Sequence, residues 1–375
     1  MPGIYLHIPF CKQRCRYCAF YSTTQHSLQQ DYIDALCKEL IIRKGYTTDS
    51  ISTIYFGGGT PSLLNEEQLQ KILKTIHDEY TILPDSEITI ECNPDDLTPR
   101  YLEMLKKTGI NRISIGIQSL CNQQLELLGR RHNAESAKEA VSNARAAGFD
   151  NISIDLMFAL PHSTNEQWSD TLHQAIALCP DHISAYNLTY EENTPLHRAL
   201  QKGDFKELSE EENIAQFNTL IEMLEEAGYN HYEISNFARS GYESRHNSSY
   251  WNDTPYIGCG AGAHSYNGAS RGWNISDIKE YIKGINKGMP AFEVEELTTE
   301  ERYNDAILTR LRTAAGIPTK WIREKFGNAL YNYMMKIAQK EISCGNLRIN
   351  KYGNLSLTRK GLFISDAVMR ELIFI

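Results

Sequence analysis

The 375-residue chain lacks any apolar run long enough to cross a membrane, and it also lacks an excess of positive charge. A bilayer-spanning helix needs about 20 mostly apolar residues, and the amino terminus has neither the charged start nor the apolar stretch of a signal peptide. The 38 basic residues are outnumbered by 47 acidic ones, for a net charge of -9, which disfavours non-specific binding to nucleic acid. We therefore expect a soluble, cytoplasmic protein whose main partner is not a nucleic acid.

A disulfide framework is also missing. Nine cysteines is an odd number, and the six beyond residue 18 have no repeated spacing. These six are Cys37, Cys92, Cys121, Cys179, Cys259 and Cys344. We expect them to be reduced thiols in packed positions, which suits a reducing compartment.

The other three cysteines stand close together near the amino terminus. Cys11, Cys15 and Cys18 have the spacing C-x3-C-x2-C, which lets one short loop bind three irons of a [4Fe-4S] cluster and leaves the fourth iron open to a ligand. A structural zinc site usually needs four ligands in two pairs, and no second pair lies near Cys18. The spacing therefore predicts an iron-sulfur site and resembles that of the radical S-adenosylmethionine (SAM) superfamily.

Basic residues alternate with these cysteines at Lys12, Arg14 and Arg16. The alternative interpretation, in which the cysteines are ordinary buried small residues, does not account for this polar pattern. Positive charge beside a thiol lowers its pKa and favours the thiolate. We therefore expect thiols with lowered pKa values.

Short β-rich segments alternate with amphipathic helical segments over the first half of the chain. The predicted strands are 4–8, 53–56, 87–91, 112–117, 151–157 and 182–188, and the predicted helices are 28–43, 66–79, 100–107, 134–147 and 165–178. Asn65 and Asn133 are the expected amino-terminal caps of two of these helices. Repeated strand-helix units form parallel sheets. We predict an α/β fold, a partial (β/α)6 barrel of the TIM type with its site at the carboxyl ends of the strands.

We divide the chain into a core of residues 1–235, an aromatic, glycine-rich connecting region of residues 236–295 and a carboxy-terminal module of residues 296–375. The tract 229–273 is neither clearly helical nor strand-like. The module contains predicted helices at 298–311, 318–326 and 329–344, and a hairpin that turns at 351–354. This order predicts a small winged-helix-like α+β module, and its mixed charges favour packing or partner binding over nucleic-acid binding.

Glycine and polar residues follow the predicted strands. The run Gly57-Gly58-Gly59-Thr60-Pro61 follows the second strand, and glycine lets the backbone approach a ligand closely, although such a run can also be a simple tight turn. Glu91, Gln118 and Asp155 lie on the next three strands. A carboxylate in an apolar strand needs a polar partner, and ribose hydroxyls would supply one for Asp155. Arg130 is either a bidentate partner for a bound carboxylate or a solvated charge at a helix end.

Together these motifs resemble the oxygen-independent coproporphyrinogen III oxidase group of the radical SAM superfamily, over nearly the whole chain. The resemblance rests on the stretches 5–11, 57–61, 91–94, 114–119, 128–132 and 153–157 and on the carboxy-terminal module. It implies that SAM chelates the open iron and is cleaved reductively to a 5′-deoxyadenosyl radical. It places SAM contacts on Tyr5, Tyr17, Gly58, Gly59, Thr60, Glu91, Gln118, Arg130 and Asp155. His7, close to the cysteines, could handle protons or simply pack.

Two branches of this group differ near the cysteines. The oxidase branch has a further cysteine two residues after the third and a longer amino-terminal extension, whereas Phe20 stands at that position here and ten residues precede Cys11. Both features resemble the other branch, the haem chaperone family HemW. That resemblance implies a protein that binds a [4Fe-4S] cluster, SAM and haem, and passes haem to acceptor proteins, with membrane-associated respiratory proteins as candidates.

The same family resemblance implies an H-N-x-x-Y-W motif, which is present at residues 246–251. A histidine such as His246 can ligate haem iron, and the aromatic pair Tyr250 and Trp251 can cover a porphyrin face. The alternatives are a core histidine whose ring nitrogens are satisfied by neighbours, and a motif that shapes the barrel mouth.

Two functions from different classes therefore stay open, because fold alone cannot choose between them. The first is a haem chaperone without coproporphyrinogen III oxidase activity. The second is an oxidase that decarboxylates the propionates of coproporphyrinogen III, and a radical SAM enzyme acting on an unrelated small substrate is a third interpretation. Phe20 and the short amino terminus favour the chaperone.

Overall fold

The computed structural model describes all 375 residues, and six parallel strands form the centre of the fold. The strands are β1 (Gly3–Ile8), β2 (Ile51–Gly58), β3 (Ile82–Cys92), β4 (Arg112–Gln118), β5 (Ile152–Phe158) and β6 (His182–Asn187). Each pairs in parallel with the next one along the chain. The α/β fold with a parallel sheet is confirmed.

All five amphipathic segments given above form helices, and eight helices follow the strands. They are α1 (Gln29–Ile42), α2 (Glu66–Glu79), α3 (Pro99–Lys107), α4 (Asn122–Leu128), α5 (Ala134–Ala146), α6 (Asn165–Ala177), α7 (Pro195–Lys202) and α8 (Glu210–Glu226). Asn65 and Asn133 both form capping boxes at the starts of α2 and α5, so the predicted caps are confirmed. No helix of the protein is both long and apolar enough to span a bilayer.

Successive side chains of the parallel strands point to opposite faces of the sheet. On β1, Ile4, Leu6 and Ile8 are fully buried in the main apolar cluster, which also contains side chains of α1 and α2. Tyr5 and His7 point to the other face, where they bond to each other. The face turned away from the helices is therefore polar, and it carries the residues of the candidate site.

Further strands extend the sheet at both edges. They are β7 (Asn230–Glu233) and β8 (Asn236–Ala238) beside β6, and β9 (Tyr256–Cys259), β10 (His264–Tyr266), β11 (Ser270–Asn274) and β12 (Phe292–Glu296) beyond β1. Two helices, α9 (Arg245–Trp251) and α10 (Ile278–Asn286), lie between them in sequence.

The expectation that residues 229–273 are neither helical nor strand-like was therefore wrong. The strands in this tract are only three to five residues long, too short for local periodicity to indicate them. The sheet partner of β9 is β1, far away in sequence. The sheet thus continues across the predicted boundary at 235, and the three-part division stays a prediction.

The carboxy-terminal residues have an apolar core of their own. Their elements are α11 (Thr299–Arg310), β13 (Ile317–Pro318), α12 (Thr319–Ser343), β14 (Leu347–Ile349), β15 (Asn354–Leu357), α13 (Arg359–Leu362) and α14 (Ser365–Leu372). Gly327 interrupts α12 with a φ of 85°, between the two helices that the sequence predicts. The three strands form an antiparallel sheet in the order β13-β15-β14; the winged-helix comparison stays a prediction.

A buried carboxylate ties α1 to the edge strands. Glu39 is fully buried and accepts hydrogen bonds from the Tyr281 hydroxyl (2.6 Å), the Gly260 amide (2.8 Å) and the Asn274 side chain (2.8 Å). The Arg43 guanidinium lies 3.4 Å from the same carboxylate. Four partners in one dry location offset the cost of burying a charge.

We expect Glu39→Ala to destabilise the fold strongly, because it removes the carboxylate partner of the buried Arg43 guanidinium and of three hydrogen-bond donors. The expected loss is about 3–5 kcal/mol of unfolding free energy, measured by urea denaturation of the apoprotein. Glu103→Ala, which removes an exposed ion pair with Lys107, is the control and should leave the midpoint nearly unchanged. Equal midpoints for the two variants would contradict this assignment.

Candidate cluster and cofactor cleft

A cleft of about 420 Å³ opens at the carboxyl ends of the parallel strands. Most of the predicted site residues line it, and they come from the loop after β1, from strands β2 to β5, from the loop after β2 and from the connection between α4 and α5. They are Cys11, Cys15, Tyr17, Cys18, Gly58, Gly59, Thr60, Glu91, Gln118, Arg130 and Asp155. Tyr5 and His246 are not among the lining residues. The parallel topology thus assembles residues that lie up to 144 positions apart in the sequence, from Cys11 to Asp155.

Backbone hydrogen bonds hold the cysteine loop over the cleft. The Cys11 amide donates to the Thr23 carbonyl (2.9 Å), and the Arg16 amide donates to the Leu128 carbonyl (3.0 Å). The thiols also have polar neighbours: the Thr60 hydroxyl lies 3.5 Å from Cys11 Sγ, and Arg130 Nη1 lies 3.2 Å from Cys15 Sγ. All three cysteines are free thiols. In a [4Fe-4S] cluster each thiolate binds a different iron, so three free thiols that line one cleft fit such a cluster.

The pKa values of two of these thiols differ from the expectation. Burial raises the pKa of Cys11 and of Cys18, and this outweighs the lowering effect of nearby Arg14. The expectation of thiols with lowered pKa values was therefore wrong for these two groups, although Arg14 acts in the predicted direction. The Lys12 ammonium forms an ion pair with Asp96 at 2.6 Å.

The glycine loop after β2 lies directly against the cysteine loop. The Gly59 amide donates to the Ile8 carbonyl at 2.8 Å, and a β-carbon on Gly59 would lie 2.8 Å from the Pro9 carbonyl carbon. Gly58 has a φ of +111°, and a β-carbon there would lie 2.7 Å from the His7 ring. Only glycine fits at these two positions, so the run is more than a simple turn: it forms a bare backbone wall at the cleft.

Two carboxylates stand on the floor of the cleft. Glu91 accepts hydrogen bonds from the Tyr55 hydroxyl (2.8 Å) and the Gly58 amide (3.1 Å). Burial raises its pKa to about 7, although both hydrogen bonds act in the opposite direction. Asp155 accepts a hydrogen bond from Ser114 (3.2 Å), and burial raises its pKa to about 6. Both carboxyls keep oxygen atoms that can accept hydrogen bonds from a bound ligand.

Arg130 points into the cleft and is not a solvated charge at a helix end. Its guanidinium donates to Asn93 Oδ1 (2.6 Å), to the Gly116 carbonyl and to Cys15 Sγ. The Arg130 Nε atom is buried and has no hydrogen-bond partner, and Arg130 lines the cleft. Gln118 adopts a φ of 68°, rare for a residue with a side chain, and such strain concentrates at functional sites.

Several residues of the cleft were not predicted as site residues. Asn93, Tyr186, Asn187 and Thr189 all line it. Asn187 is the last residue of β6, so the rule that identified polar residues at strand ends could have found it. Asn93 directly follows β3 and lies in the stretch 91–94, so the same rule could have found it, although its link to Arg130 exists only in the folded chain. Phe20 also lines the cleft and is 69% exposed.

His246 lies at the opposite end of the parallel strands, near Gly3 and Thr53, where β1 and β2 begin. Its ring is completely buried, with Nδ1 2.7 Å from Thr53 Oγ1 and Nε2 2.8 Å from the Tyr250 hydroxyl. This is the arrangement of a core histidine whose ring nitrogens are both satisfied. Neither nitrogen is free to bind iron, so the geometry gives no support to His246 as a haem ligand, and the motif does not shape the mouth of the cleft.

Comparison with known proteins agrees with this geometry. Residues 5–175 match the Radical SAM superfamily, and residues 297–364 match the HemN C-terminal domain. The fold resembles that of coproporphyrinogen III oxidase (HemN) from Escherichia coli, a radical SAM enzyme, with a TM-score of 0.86 and 24% identity over 99% of this chain and 90% of the other. At this identity the likeness shows the fold.

Relatives described as heme chaperone HemW are more similar in sequence. The protein from Bacillus subtilis (strain 168) is 37% identical over 98% of both chains. The protein from Lactococcus lactis subsp. lactis (strain IL1403) is 32% identical over 98% of this chain and 96% of its own length. Since the similarity extends over nearly the full length of both relatives, the chain belongs to the heme chaperone HemW family.

Proposed function

We propose that this protein is a haem chaperone, which binds haem and transfers it to acceptor proteins, and which carries a [4Fe-4S] cluster and SAM. The single observation that carries the proposal is the similarity over the whole chain to relatives described as heme chaperones. The convergence of three free thiols with a glycine wall and buried carboxylates on one cleft supports the cofactor part.

Cys11, Cys15 and Cys18 would hold the cluster in this proposal. The backbone of Gly58 and Gly59 with Thr60 would face the methionine part of SAM, and Glu91 would accept a hydrogen bond from its amino group. Asp155 and Gln118 would face the ribose, and Arg130 would pair with the carboxylate. Tyr17 would pack against the bound cofactor, whereas Tyr5 would support the site from below. When bound, the cluster supplies the single electron on which radical SAM chemistry depends.

The protein's own residues prepare this site in three ways. The glycine wall exposes backbone groups to the ligand, because no β-carbon shields them. The buried carboxylates can accept hydrogen bonds in surroundings of low dielectric constant, where such bonds are strong. The cysteine loop, tied to Thr23 and Leu128 by backbone hydrogen bonds, keeps the three thiols on one side of the cleft.

The proposed partners are haem and haem-acceptor proteins, with respiratory proteins at the membrane as candidates. Nine free thiols favour a reducing compartment such as the cytoplasm. The net charge of -9 argues against nucleic acid as a partner.

Coproporphyrinogen III oxidation is the second candidate function, favoured by the fold that the chain shares with HemN. Phe20 argues against it, since it occupies the position of the further cysteine of the oxidase branch with an exposed aromatic ring at the cleft.

Two assays on the anaerobically reconstituted protein separate these functions. We expect one haem per chain in an absorbance titration, and no conversion of coproporphyrinogen III in the presence of SAM and a reductant. The transfer step is checked by mixing the haem-loaded protein with an apo-acceptor and following the haem spectrum. Decarboxylated product would favour the oxidase, and a chain that binds no haem would refute the chaperone.

We expect Cys15→Ala to abolish the iron-sulfur absorbance of the reconstituted protein, because two thiolates cannot hold the cluster that three were positioned to bind. Iron and sulfide per chain are the measurement. The exposed Cys344 in the carboxy-terminal module offers a matched control, and Cys344→Ala should keep the full iron content. Four irons per chain in Cys15→Ala would rule out the assigned ligand.

SAM affinity should depend on pH through Glu91. Its pKa of about 7 means that the carboxylate, the form able to accept a hydrogen bond, predominates only above that pH. We therefore expect affinity to fall about tenfold from roughly pH 8 to roughly pH 6, measured by calorimetry. The groups that face Glu91 are Tyr5, Tyr55, the Gly58 amide, Arg112 and Asp155.

Glu91→Gln is the control for this pH dependence. It keeps the shape of the side chain and cannot ionise, so its weaker binding should vary less with pH. The same pH profile in both proteins would show that another group is responsible.

A further inference from the structure

The His246 side chain is held rigidly at the amino end of the parallel strands. Besides the hydrogen bonds of its ring to Thr53 and Tyr250, its backbone amide donates to the Glu87 carboxylate at 3.0 Å, as does the amide of Arg245. Burial and the neighbouring Arg112 lower the pKa of His246 to about 3, so the ring is neutral in the physiological range. The His246 ring therefore provides a fixed, uncharged surface for packing.

Two tyrosine rings pack beside the His246 ring. The Tyr55 ring stacks on the His246 ring with centroids 4.9 Å apart and an interplanar angle of 21°. The Tyr5 ring lies beside both, at 6.2 Å from Tyr55 and 6.4 Å from His246, again nearly parallel. Three stacked rings restrict each other's rotation.

The hydroxyls of both tyrosines form hydrogen bonds with residues that contact the glycine wall of the cleft. The Tyr55 hydroxyl donates to Glu91, and the second oxygen of Glu91 accepts the Gly58 amide. The Tyr5 hydroxyl lies 3.1 Å from His7 Nδ1, and the His7 ring occupies the space where a Gly58 side chain would be. Two short contact routes thus run from His246 to the same glycine.

We infer that His246 is a positioning residue for the SAM site, which holds Tyr55 in place so that Glu91 stays aligned with the Gly58 amide. The inference rests on the proposed binding of SAM. It assigns the buried H-N-x-x-Y-W motif to cofactor alignment and gives His246 no contact with haem.

The physical basis is the free-energy cost of disorder in the Glu91 carboxylate, which accepts hydrogen bonds from both Tyr55 and the Gly58 amide. Glu91 needs a second donor besides Gly58, because a half-buried carboxylate with one hydrogen bond is poorly satisfied. The Tyr55 hydroxyl is that donor, and it donates to Glu91 from a ring that stacks on His246. A tyrosine released from the stack would leave Glu91 free to rotate away from the ligand.

The test compares SAM affinity and haem stoichiometry in the reconstituted full-length protein. We expect His246→Ala to weaken SAM binding by about five- to tenfold, the worth of one well-placed hydrogen bond, and to leave the haem stoichiometry unchanged. Tyr55→Phe, which removes one oxygen atom and keeps the stack, should weaken SAM binding similarly. The double variant should lose no more SAM affinity than the more affected of the two single variants, because both changes break the same route from His246 to Glu91.

His182 provides a matched control for a merely structural effect. It too is completely buried, with Nδ1 2.7 Å from Ser153 Oγ and Nε2 2.8 Å from the Tyr232 hydroxyl, but it does not contact Tyr55. His182→Ala should lower the unfolding midpoint as His246→Ala does and leave SAM affinity unchanged. An equal loss of SAM affinity in both variants would overturn the inference.

The remaining outcomes separate the inference from the proposed function. Loss of haem with normal SAM affinity in His246→Ala would overturn the inference and assign the motif to haem. Additive losses in the double variant, or normal affinity in Tyr55→Phe, would overturn the route through Tyr55. Should His246→Ala fail to fold, Tyr55→Phe decides alone. Failure of the wild-type protein to bind SAM would instead refute the cofactor part of the proposed function.

Discussion

The close approach of two backbone loops is the constraint on which the cleft depends. The Gly59 amide donates to the Ile8 carbonyl, and no side chain fits between the glycine run and the cysteine loop. This contact follows from the parallel pairing of β1 with β2, in which Ile8 lies opposite Gly58. Glu91, Gln118 and Asp155 are placed relative to that edge, because strands β3 to β5 continue the parallel pairing.

The polar face of the sheet tolerates charged side chains only because they have polar partners. Arg112 is buried, Glu91 and Asp155 are half-buried, and desolvation shifts both carboxyl pKa values upward. Hydrogen bonds from Tyr55, Ser114 and the Gly58 amide offset part of that cost. The fold therefore tolerates ionisable groups that a simple apolar core would exclude, and two of them, Glu91 and Asp155, line the cleft.

The two ends of the parallel strands differ in role. Their carboxyl ends carry the thiols, the glycine wall and the unpartnered Arg130 Nε. Their amino ends are filled by the H-N-x-x-Y-W helix, whose histidine is sealed from solvent. The end of the same helix contacts the carboxy-terminal residues. Arg310 donates to the Asn252 carbonyl, and the Arg312 guanidinium lies over the Trp251 ring. The motif thus lies between the cofactor cleft and the carboxy-terminal module.

The sequence by itself determined the cysteine spacing, the strand-helix repeat, the helix caps and the residues at the strand ends, because each depends on neighbours close along the chain. Only the tertiary structure decided what depends on distant partners: the edge strands of residues 229–273, the link between Asn93 and Arg130, and the raised pKa values of Cys11 and Cys18. His246 shows the difference best. Its motif is plain in the sequence, yet whether its ring nitrogens are free or bonded depends on Thr53, which lies nearly two hundred residues away.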